Sequence, residues 1–348
     1  MRPRIGVIGT GASGRRHLRA LAEGEHAEVV AICDAHEPSL EEAKRLAPHA
    51  EAFRDYRQLL DRSEVDAVIV AVPNHLHRQV VVDALEAGKH VLCEKPLAPT
   101  IEDCRAMLEA ERRSGRLLQV GFVMRFNPAI QRAKELLSQG RVGEARLMWC
   151  MELRPPFRKK VGDWVLRREL SGGSLVEKNC HHFDLFNWFC GRRPLRVFAF
   201  GGADVVYKGG GTERALKEPD TEANVVDNAW AVVEYEEGVR AGLCLSLFLP
   251  EGLHTLELGV VGERGILRCR PHRFEVEVRE EGNPHGETIR APASESTFYL
   301  EQLHFVECIR EGRKPLADSE AGMMAVAVAL AAERAVEEGR VVEISEIL

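Results

Sequence analysis

The stretch Ile5-Gly6-Val7-Ile8-Gly9-Thr10-Gly11-Ala12-Ser13-Gly14 constrains this chain more than any other. A short apolar run, Ile5 to Ile8, leads straight into a G-x-G-x-x-G. A helical pattern follows, with Leu18, Leu21 and Ala22 on one face. The run Val29-Val30-Ala31-Ile32-Cys33 then ends on Asp34, 20 residues beyond Gly14. A lone G-x-G-x-x-G is a weak signal. A strand before it, a helix after it and an acid at this distance make it a dinucleotide-binding βαβ unit. Gly9 permits the tight turn, Gly11 lets the backbone approach a pyrophosphate, and Gly14 lets helix and strand pack closely. Free N–H groups where the helix begins, at Ala12 and Ser13, hold the negative charge together with the helix dipole. Asp34 suits the ribose hydroxyls and repels a 2′-phosphate, and Ala35 and His36 bring no arginine to welcome one. The cofactor expected is therefore NAD in preference to NADP.

The alternation of strands and helices continues. Glu37–Leu46 reads as a helix with Pro38 in its first turn, and Tyr56–Asp61 as another short one. Ala67–Val70 is a buried strand, a helix to Ala87 stops at Gly88, Ile101–Arg113 is a helix, and Leu117–Val120 is a strand. Between them, His90-Val91-Leu92-Cys93 is a buried strand that ends abruptly on Glu94-Lys95-Pro96. Pro96 biases Lys95 toward extended backbone. Ligands bind at the carboxyl ends of strands in an open parallel sheet, so a lysine fixed there is a candidate for chemistry. The alternative is a solvated Glu–Lys pair at a loop. The whole is read as strands with crossover helices, a doubly wound parallel α/β sheet of the Rossmann kind.

After about residue 123 the pattern changes, which places the expected boundary between a cofactor domain at 1–123 and a second domain at 124–348. Asn127–Gln139 reads as one helix closed by Gly140. Strand-like runs then dominate: Arg146–Leu153, Arg196–Phe200, Ala229–Tyr235, Val239–Leu247, His254–Val261 and Gly265–Cys269. Tyr235-Glu236-Glu237-Gly238-Val239 is a hairpin signal. The expected second domain is α+β with a large, mostly antiparallel open sheet. Two helices, Thr297–Glu311 and Ser319–Glu338, and a short strand, Val341–Ile344, close the chain, with the helices free to pack back on the first domain. Residues 203–224 read as a surface excursion in preference to a lid.

The densest chemistry in the second half is Ser171-Gly172-Gly173-Ser174-Leu175-Val176-Glu177-Lys178-Asn179-Cys180-His181-His182-Phe183-Asp184. On one helix, Glu177 and His181 are four apart and His181 and Asp184 three apart, so one face presents carboxylate, imidazole and carboxylate. That arrangement fixes a histidine tautomer and tunes it for proton transfer. Ser174 and Glu177 also match an S-x-x-E capping box, so capping the helix is an equal alternative for Glu177. His182 points elsewhere than His181 and reads as a satisfied, partly buried histidine, though it stays among the candidate substrate contacts. His181, Asp184 and Glu177 could hold zinc on paper, but with no H-E-x-x-H no metal is expected.

Composition narrows the classes. The formal net charge of −7 and the lack of a long basic block disfavour a nucleic-acid role. No apolar run reaches the roughly 20 residues that span a bilayer. Nine cysteines without a C-x-x-C, and an N-terminus that enters a strand at once, fit a reducing cytoplasm. An open sheet needs covering, so a homodimer or homotetramer is expected.

Several of these segments carry a resemblance. Val72-Pro73-Asn74 with His77, then Ala87-Gly88-Lys89-His90-Val91-Leu92-Cys93-Glu94-Lys95-Pro96-Leu97, resembles the Gfo/Idh/MocA oxidoreductases, the glucose–fructose oxidoreductase and inositol dehydrogenase family. Arg125-Phe126-Asn127-Pro128, the Gly172-Gly173…His181…Asp184 segment and Val261-Gly262-Glu263-Arg264-Gly265 match as well, so the resemblance spans essentially the whole chain. It implies NAD(P)-dependent oxidation of a secondary alcohol of a sugar or cyclic polyol. It implies that Lys95 contacts both substrate and nicotinamide, that His181 accepts the proton with help from Glu177, and that Asp184 binds a substrate hydroxyl. Arg125 and Trp164 join Asp184 and His182 as implied substrate contacts, and Pro73, Asn74, His77 and Glu94 join Lys95 on the cofactor side. The sequence departs from the family at Glu177, where Asp is usual, at Asn179 and Ser174, where Gly is usual, and at Trp164-Val165-Leu166-Arg167, where W-R-x-D is usual. Two rival readings keep the fold: a redox-neutral sugar-modifying enzyme with tightly held NAD, and a non-catalytic dinucleotide-sensing regulator.

Overall fold

The computed structural model describes residues 2–158, 160–207, 223–292 and 296–348. The chain divides into two compact units, one of residues 1–126 with 295–323, the other of residues 127–294 with 324–348.

The first unit is built on a six-stranded sheet of β1 (Arg4–Ile8), β2 (Glu28–Cys33), β3 (Glu51–Phe53), β4 (Ala67–Val70), β5 (His90–Glu94) and β6 (Leu118–Gly121). Its order is β3-β2-β1-β4-β5-β6 and every pairing is parallel. The order reverses beside β1, where a doubly wound sheet opens its ligand crevice. Helices α1 (Ala12–Glu23), α2 (Glu37–Leu46), α3 (Tyr56–Leu60), α4 (His77–Glu86) and α5 (Ile101–Ser114) make the crossovers. The three-residue β3 is too short to show a period, and apolar patterning does not single it out. Val91, Leu92 and Cys93 of β5 are fully buried, as expected of a strand covered on both faces.

The second unit begins with α6 (Pro128–Ser138), β7 (Ala145–Leu153), α7 (Arg168–Ser171), α8 (Ser174–Glu177) and α9 (Cys180–Cys190). Strands β8 (Pro194–Gly202), β9 (Asn228–Tyr235), β10 (Arg240–Ser246), β11 (Thr255–Gly262), β12 (Gly265–Arg270), β13 (Glu275–Glu280) and β14 (Asn283–Arg290) follow. Then α10 (Thr297–Glu311) belongs to the first unit, where Phe305 and Val306 join the core of Leu18, Leu21 and Ile32. Next comes α11 (Ser319–Glu338), whose residues to Met323 belong to the first unit and the rest to the second, and last β15 (Val342–Glu343), in the second unit.

The nine-stranded sheet of that unit runs β14-β13-β12-β11-β7-β10-β9-β8-β15. Its pairings are antiparallel except β7 with β10. The β9–β10 hairpin turns through Glu237 and Gly238, both at positive φ. Strands β13 and β14 escape an apolar scan because Glu-Val-Glu-Val-Arg-Glu and Asn-Pro-His-Gly-Glu-Thr-Ile-Arg carry few apolar residues. One face of the sheet is covered: Met148, Cys150 and Glu152 of β7 point into it and are buried. The other exposes Leu147, Phe200, Trp230 and Val232. Of the loop at 203–224, residues 208–222 lie outside the described residues.

Candidate active site

In the first unit the glycine turn has the shape its spacing predicts. Gly9 sits at φ +87°, and a Cβ there would lie 2.6 Å from the Ala71 carbonyl carbon. A Cβ on Gly14 would lie 2.0 Å from the Gly9 carbonyl oxygen, so helix and strand are too close for any side chain. Around Gly11, by contrast, a Cβ would meet nothing within 4 Å. The first two glycine constraints are internal; the third position opens on space a ligand can use. No side chain caps the α1 N-terminus, which leaves its first amides for an anion. Asp34, at the end of β2, accepts from Thr10 through the backbone N at 2.7 Å and Oγ1 at 3.1 Å, and from the His36 N at 2.8 Å. It therefore ties the glycine turn to β2 as well as offering oxygens to a ribose. These residues fit a dinucleotide. The fold also supplies an arginine that neighbouring positions lack: Arg54 Nη2 donates to the Ala35 carbonyl at 2.6 Å and pairs with Glu37.

The ends of β4 and β5 carry the next candidates. Pro73 and Asn74 start a 3-10 turn after β4, with Asn74 buried. His77 is fully buried with both ring nitrogens on backbone carbonyls, Nε2 to Val72 at 3.0 Å and Nδ1 to Pro96 at 2.9 Å. Burial pushes its pKa down against the pull of these carbonyls. Its side chain thus staples the loop after β4 to the one after β5, which is a different employment from touching a cofactor directly.

Glu94 anchors a relay that sequence reasoning missed. Its Oε1 faces His17 Nε2 at 3.2 Å, and Gln302 Nε2 lies 2.9 Å from His17 Nδ1. The carboxylate requires the proton on Nε2, so the Gln302 amide donates to Nδ1. Oε2 accepts from the Lys95 backbone N at 3.2 Å. Burial raises the Glu94 pKa, but His17, Lys95 and His77 outweigh it and the carboxyl stays below its usual range. Behind it, burial and the Glu94 charge push Glu301 well up. His17 shares the inward face of α1 with Leu18 and Leu21, and a histidine on an apolar stripe is the only trace of this relay in the sequence. Arg125, also in this unit, is buried in a 3-10 turn and donates to the Leu316 carbonyl.

In the second unit, Trp164, Glu177, His181, His182 and Asp184 are all buried. The expected continuous helix is interrupted: α8 ends at Glu177 and α9 begins at Cys180, with Lys178 and Asn179 between. His181 and Asp184 remain one turn apart on α9, whereas Glu177 lies on the preceding turn of chain. The capping box does not form. Ser174 Oγ donates to the Val226 carbonyl at 2.6 Å, and the α8 N-cap is Gly173 at φ +99°. The carboxylate that caps this helix is Glu333 of α11, which accepts from the Leu175 N at 2.7 Å. Burial pushes Glu333 up to about 7. Glu177 instead meets Lys160 at 3.2 Å, and the same ammonium lies 4.3 Å from the Trp164 ring centroid. Lys160, visible in the sequence only as the end of a short basic run, joins two candidate site residues.

His182 has no surface left for a ligand. Its ring is fully buried, with Nδ1 3.1 Å from Asn179 Nδ2 and Nε2 3.6 Å from Glu152 Oε2. Glu152 of β7 also faces Lys178 Nζ at 3.0 Å, His254 Nε2 at 3.5 Å and Arg154 Nη1 at 3.9 Å. Burial raises the Glu152 pKa, yet Lys178, His182 and His254 together hold it well below the carboxylate range. Burial lowers that of His182, against the pull of Glu152. Among the described residues no group of histidine, cysteine and acidic side chains is arranged to hold a metal ion.

A glycine-cradled dinucleotide crevice in one unit and a buried histidine–carboxylate corner in the other define the class: an α/β oxidoreductase with a nucleotide domain and a second α/β domain. Residues 3–122 match the family model for the NAD-binding Rossmann fold of the Gfo/Idh/MocA oxidoreductases, and residues 134–344 match its C-terminal alpha/beta domain. The chain belongs to the Gfo/Idh/MocA oxidoreductase family. It is 28% identical over 353 residues to the myo-inositol 2-dehydrogenase of Thermotoga maritima, covering 99% of each chain. It is 33% identical over 272 residues to the inositol 2-dehydrogenase 2 of Saccharopolyspora erythraea, covering 77% of this chain and 73% of that one. A structure of levoglucosan dehydrogenase with NADH and levoglucosan shares the fold, at TM-score 0.87 and 21% identity over 99% of this chain and 100% of that one.

Proposed function

We propose that this protein is an NAD-dependent dehydrogenase that oxidises a secondary alcohol of a sugar or cyclic polyol, in the inositol dehydrogenase manner. The observation that carries it is the buried His181–Asp184 pair on α9, in a chain matched end to end by an inositol dehydrogenase. A bound nicotinamide supplies the hydride acceptor. His181 takes the hydroxyl proton, a step worth about 10²–10⁴-fold when a base is positioned for it. Glu177 assists it and Asp184 accepts from a substrate hydroxyl. Lys95 donates a hydrogen bond to the developing alkoxide, most valuable where water is excluded. Asp34 favours NAD over NADP, and Arg54 is the cation against which that preference is weighed. The test is NAD and NADP reduction against inositols, free sugars, glycosides and nucleotide sugars. Turnover of a cyclic polyol or sugar with NAD is expected; oxidation of none of them, with the nucleotide bound, would sink the reading.

The exposed Phe200, Trp230 and Val232 form an apolar face that supports a homo-oligomer, a dimer or tetramer, assembled through the open sheet. Trp230→Arg is expected to lower the mass measured by light scattering, and an unchanged mass would refute that assembly. All nine cysteines are free thiols, which supports a reducing compartment such as the cytoplasm. Among the described residues no helix is long and apolar enough to cross a membrane.

A further inference from the structure

We propose that Glu152 is a positioning residue for the catalytic corner, acting through Lys178 and His182 to set the orientation of Glu177 and His181. The inference rests on the reading of His181 as proton acceptor and adds to it a residue on a distant strand. The corner contains two interleaved pairs. Glu177 and His181 are the candidate site residues. Lys178 and His182 each follow one of them by a single position and have the same spacing of four. Both members of the second pair reach one carboxylate, Lys178 at 3.0 Å and His182 at 3.6 Å. Glu152 lies on β7, inside the covered face of the sheet, with its side chain 1% exposed. A single buried anion therefore meets one residue of the break between α8 and α9 and one residue of α9 itself.

The turn between α8 and α9 gives this grip something to add. A continuous helix would hold Glu177 and His181 in register by its own hydrogen bonds. Here the backbone bonds of α8 run on to Asn179 N, which donates to the Leu175 carbonyl at 3.0 Å, and those of α9 start again at the Asn179 carbonyl, which accepts from His182 N at 2.9 Å, so the two helices share a single residue of backbone register and the side chains add to it. Asn179, in the break itself, supplies part of it. The Asn179 amide nitrogen can only donate, so His182 Nδ1 accepts and the proton of the neutral ring lies on Nε2, which faces Glu152 at 3.6 Å, an ion-pair distance longer than a hydrogen bond. Asn179, His182 and Glu152 then form one line from the break to the sheet. Among the described residues the charged or titratable groups that face Glu152 belong to this unit: Lys178 and His182 from the corner, Arg154 at the end of β7, the Cys150 thiol on β7 itself, and His254 before β11, against which the His272 ring packs at 4.7 Å. Burying a carboxylate is costly without partners, and this set of cations and imidazoles offsets that cost.

The same amide–imidazole–carboxylate line occurs in the first unit, where Gln302, His17 and Glu94 end on the backbone N of Lys95. Each line ends beside a candidate site residue and touches it through its neighbour or its backbone. That is what a positioning device does, and a simple filler of the core does not need it.

The test uses the full-length protein and a readout that needs no substrate, the histidine ring resonances in NMR, assigned with His181→Asn and His182→Asn. Glu152→Gln keeps the side-chain shape and removes the charge. It is expected to move the His182 signals and, through the corner, the His181 signals. On any polyol the enzyme turns over, kcat is expected to fall about 10- to 100-fold, the cost of a misplaced group, with the affinity for NAD unchanged. Because this variant removes the carboxylate that faces the Lys178 ammonium at 3.0 Å, Glu152→Gln/Lys178→Met is made alongside. The double variant is expected to recover thermal stability but neither the native His181 signal nor turnover. Glu152→Gln with native His181 signals and native kcat would overturn the proposal, as would a double variant with both restored. If His181→Asn keeps full turnover, the reading of the site fails instead; a His181 signal that still moves in Glu152→Gln tells that failure apart from a failure of the positioning role.

Discussion

The relays behind Glu94 and Glu152 are built alike and balanced differently. Each has a carboxylate on a strand, partly buried at Glu94 and buried at Glu152, an imidazole facing it through Nε2, and an amide side chain on Nδ1. Glu94 faces an imidazole and a peptide N–H, with the charges of Lys95 and His77 acting from further off. Glu152 faces a full ammonium at 3.0 Å and two histidines. The first therefore depends mainly on hydrogen bonds, the second on charge neutralisation. Hydrogen bonds orient a group at modest net energy, whereas a buried ion pair is expensive to break because the surviving charge stays buried. The nucleotide unit can hold its lysine lightly, because β5 already fixes the backbone beside it. The second unit has the turn between α8 and α9 beside its candidate residues and carries the stronger tie.

The comparison can be broken at four points. The largest effect is on turnover: Lys95→Ala and His181→Ala are each expected to lose about 10²–10⁴-fold in kcat while NAD binding, followed by fluorescence, is retained. A variant of either residue with native kcat would detach that relay from the chemistry. Next come the carboxylates themselves. Glu152→Ala is expected to cost about 3–5 kcal/mol in denaturant unfolding, as for a broken buried ion pair. Glu94→Ala is expected to cost about 1–3 kcal/mol, as for an unsatisfied hydrogen-bonding group. Equal losses would erase the distinction.

A smaller effect reads the cap of the same corner. The Glu333 carboxyl is raised to about 7 in the folded protein, against 4.5 for the ordinary group. Between those values the native state holds a proton that the unfolded chain has lost. Its contribution to stability is therefore complete below about 4.5 and disappears as pH rises through about 7, amounting to a few kcal/mol in all. Glu333→Gln keeps an acceptor for Leu175 and abolishes the titration. Relative to wild type, the variant is expected to gain melting temperature as pH is raised across this window; parallel curves would exclude the shift. The smallest effect on stability belongs to Gly11→Ala. It is expected to stay within about 0.5 kcal/mol, since its methyl meets open space, yet to weaken NAD binding. Gly14→Ala, whose methyl would strike the Gly9 carbonyl, is expected to destabilise the unit itself. The two glycines thus separate a position kept open for the ligand from one kept open for the fold.

Much of the first unit is legible in its residues because strand, turn and helix follow one another within a few positions. The helix at Glu37–Leu46 and the strand at Ala67–Val70 lie where apolar period and cap chemistry place them. The candidate site is legible as residue types, Lys95, His181, Asp184 and Glu177, but not as contacts. The spacing of four between Glu177 and His181 implied one helical face, and the break at Lys178 and Asn179 interrupts it. The S-x-x-E at Ser174 and Glu177 implied a local cap, and the cap comes from Glu333. Glu152 sits in an alternating strand at an inward position, where its charge reads as an exception with no visible partner. His77 reads as a possible cofactor contact, and its ring is held by two carbonyls.

The sequence by itself determined the nucleotide unit, the glycine turn with its acid, and the set of side chains able to do the chemistry. Each of these depends on neighbours close along the chain, where sterics, hydrogen-bond period and turn chemistry act directly. Tertiary structure alone decided which carboxylate each histidine faces, where the candidate corner breaks, and how Lys160 and Arg54 reach candidate site residues they are not near in sequence. Those outcomes depend on which buried charges find partners across long separations, and electrostatics in a desolvated interior is set by position in space and not by order in the chain.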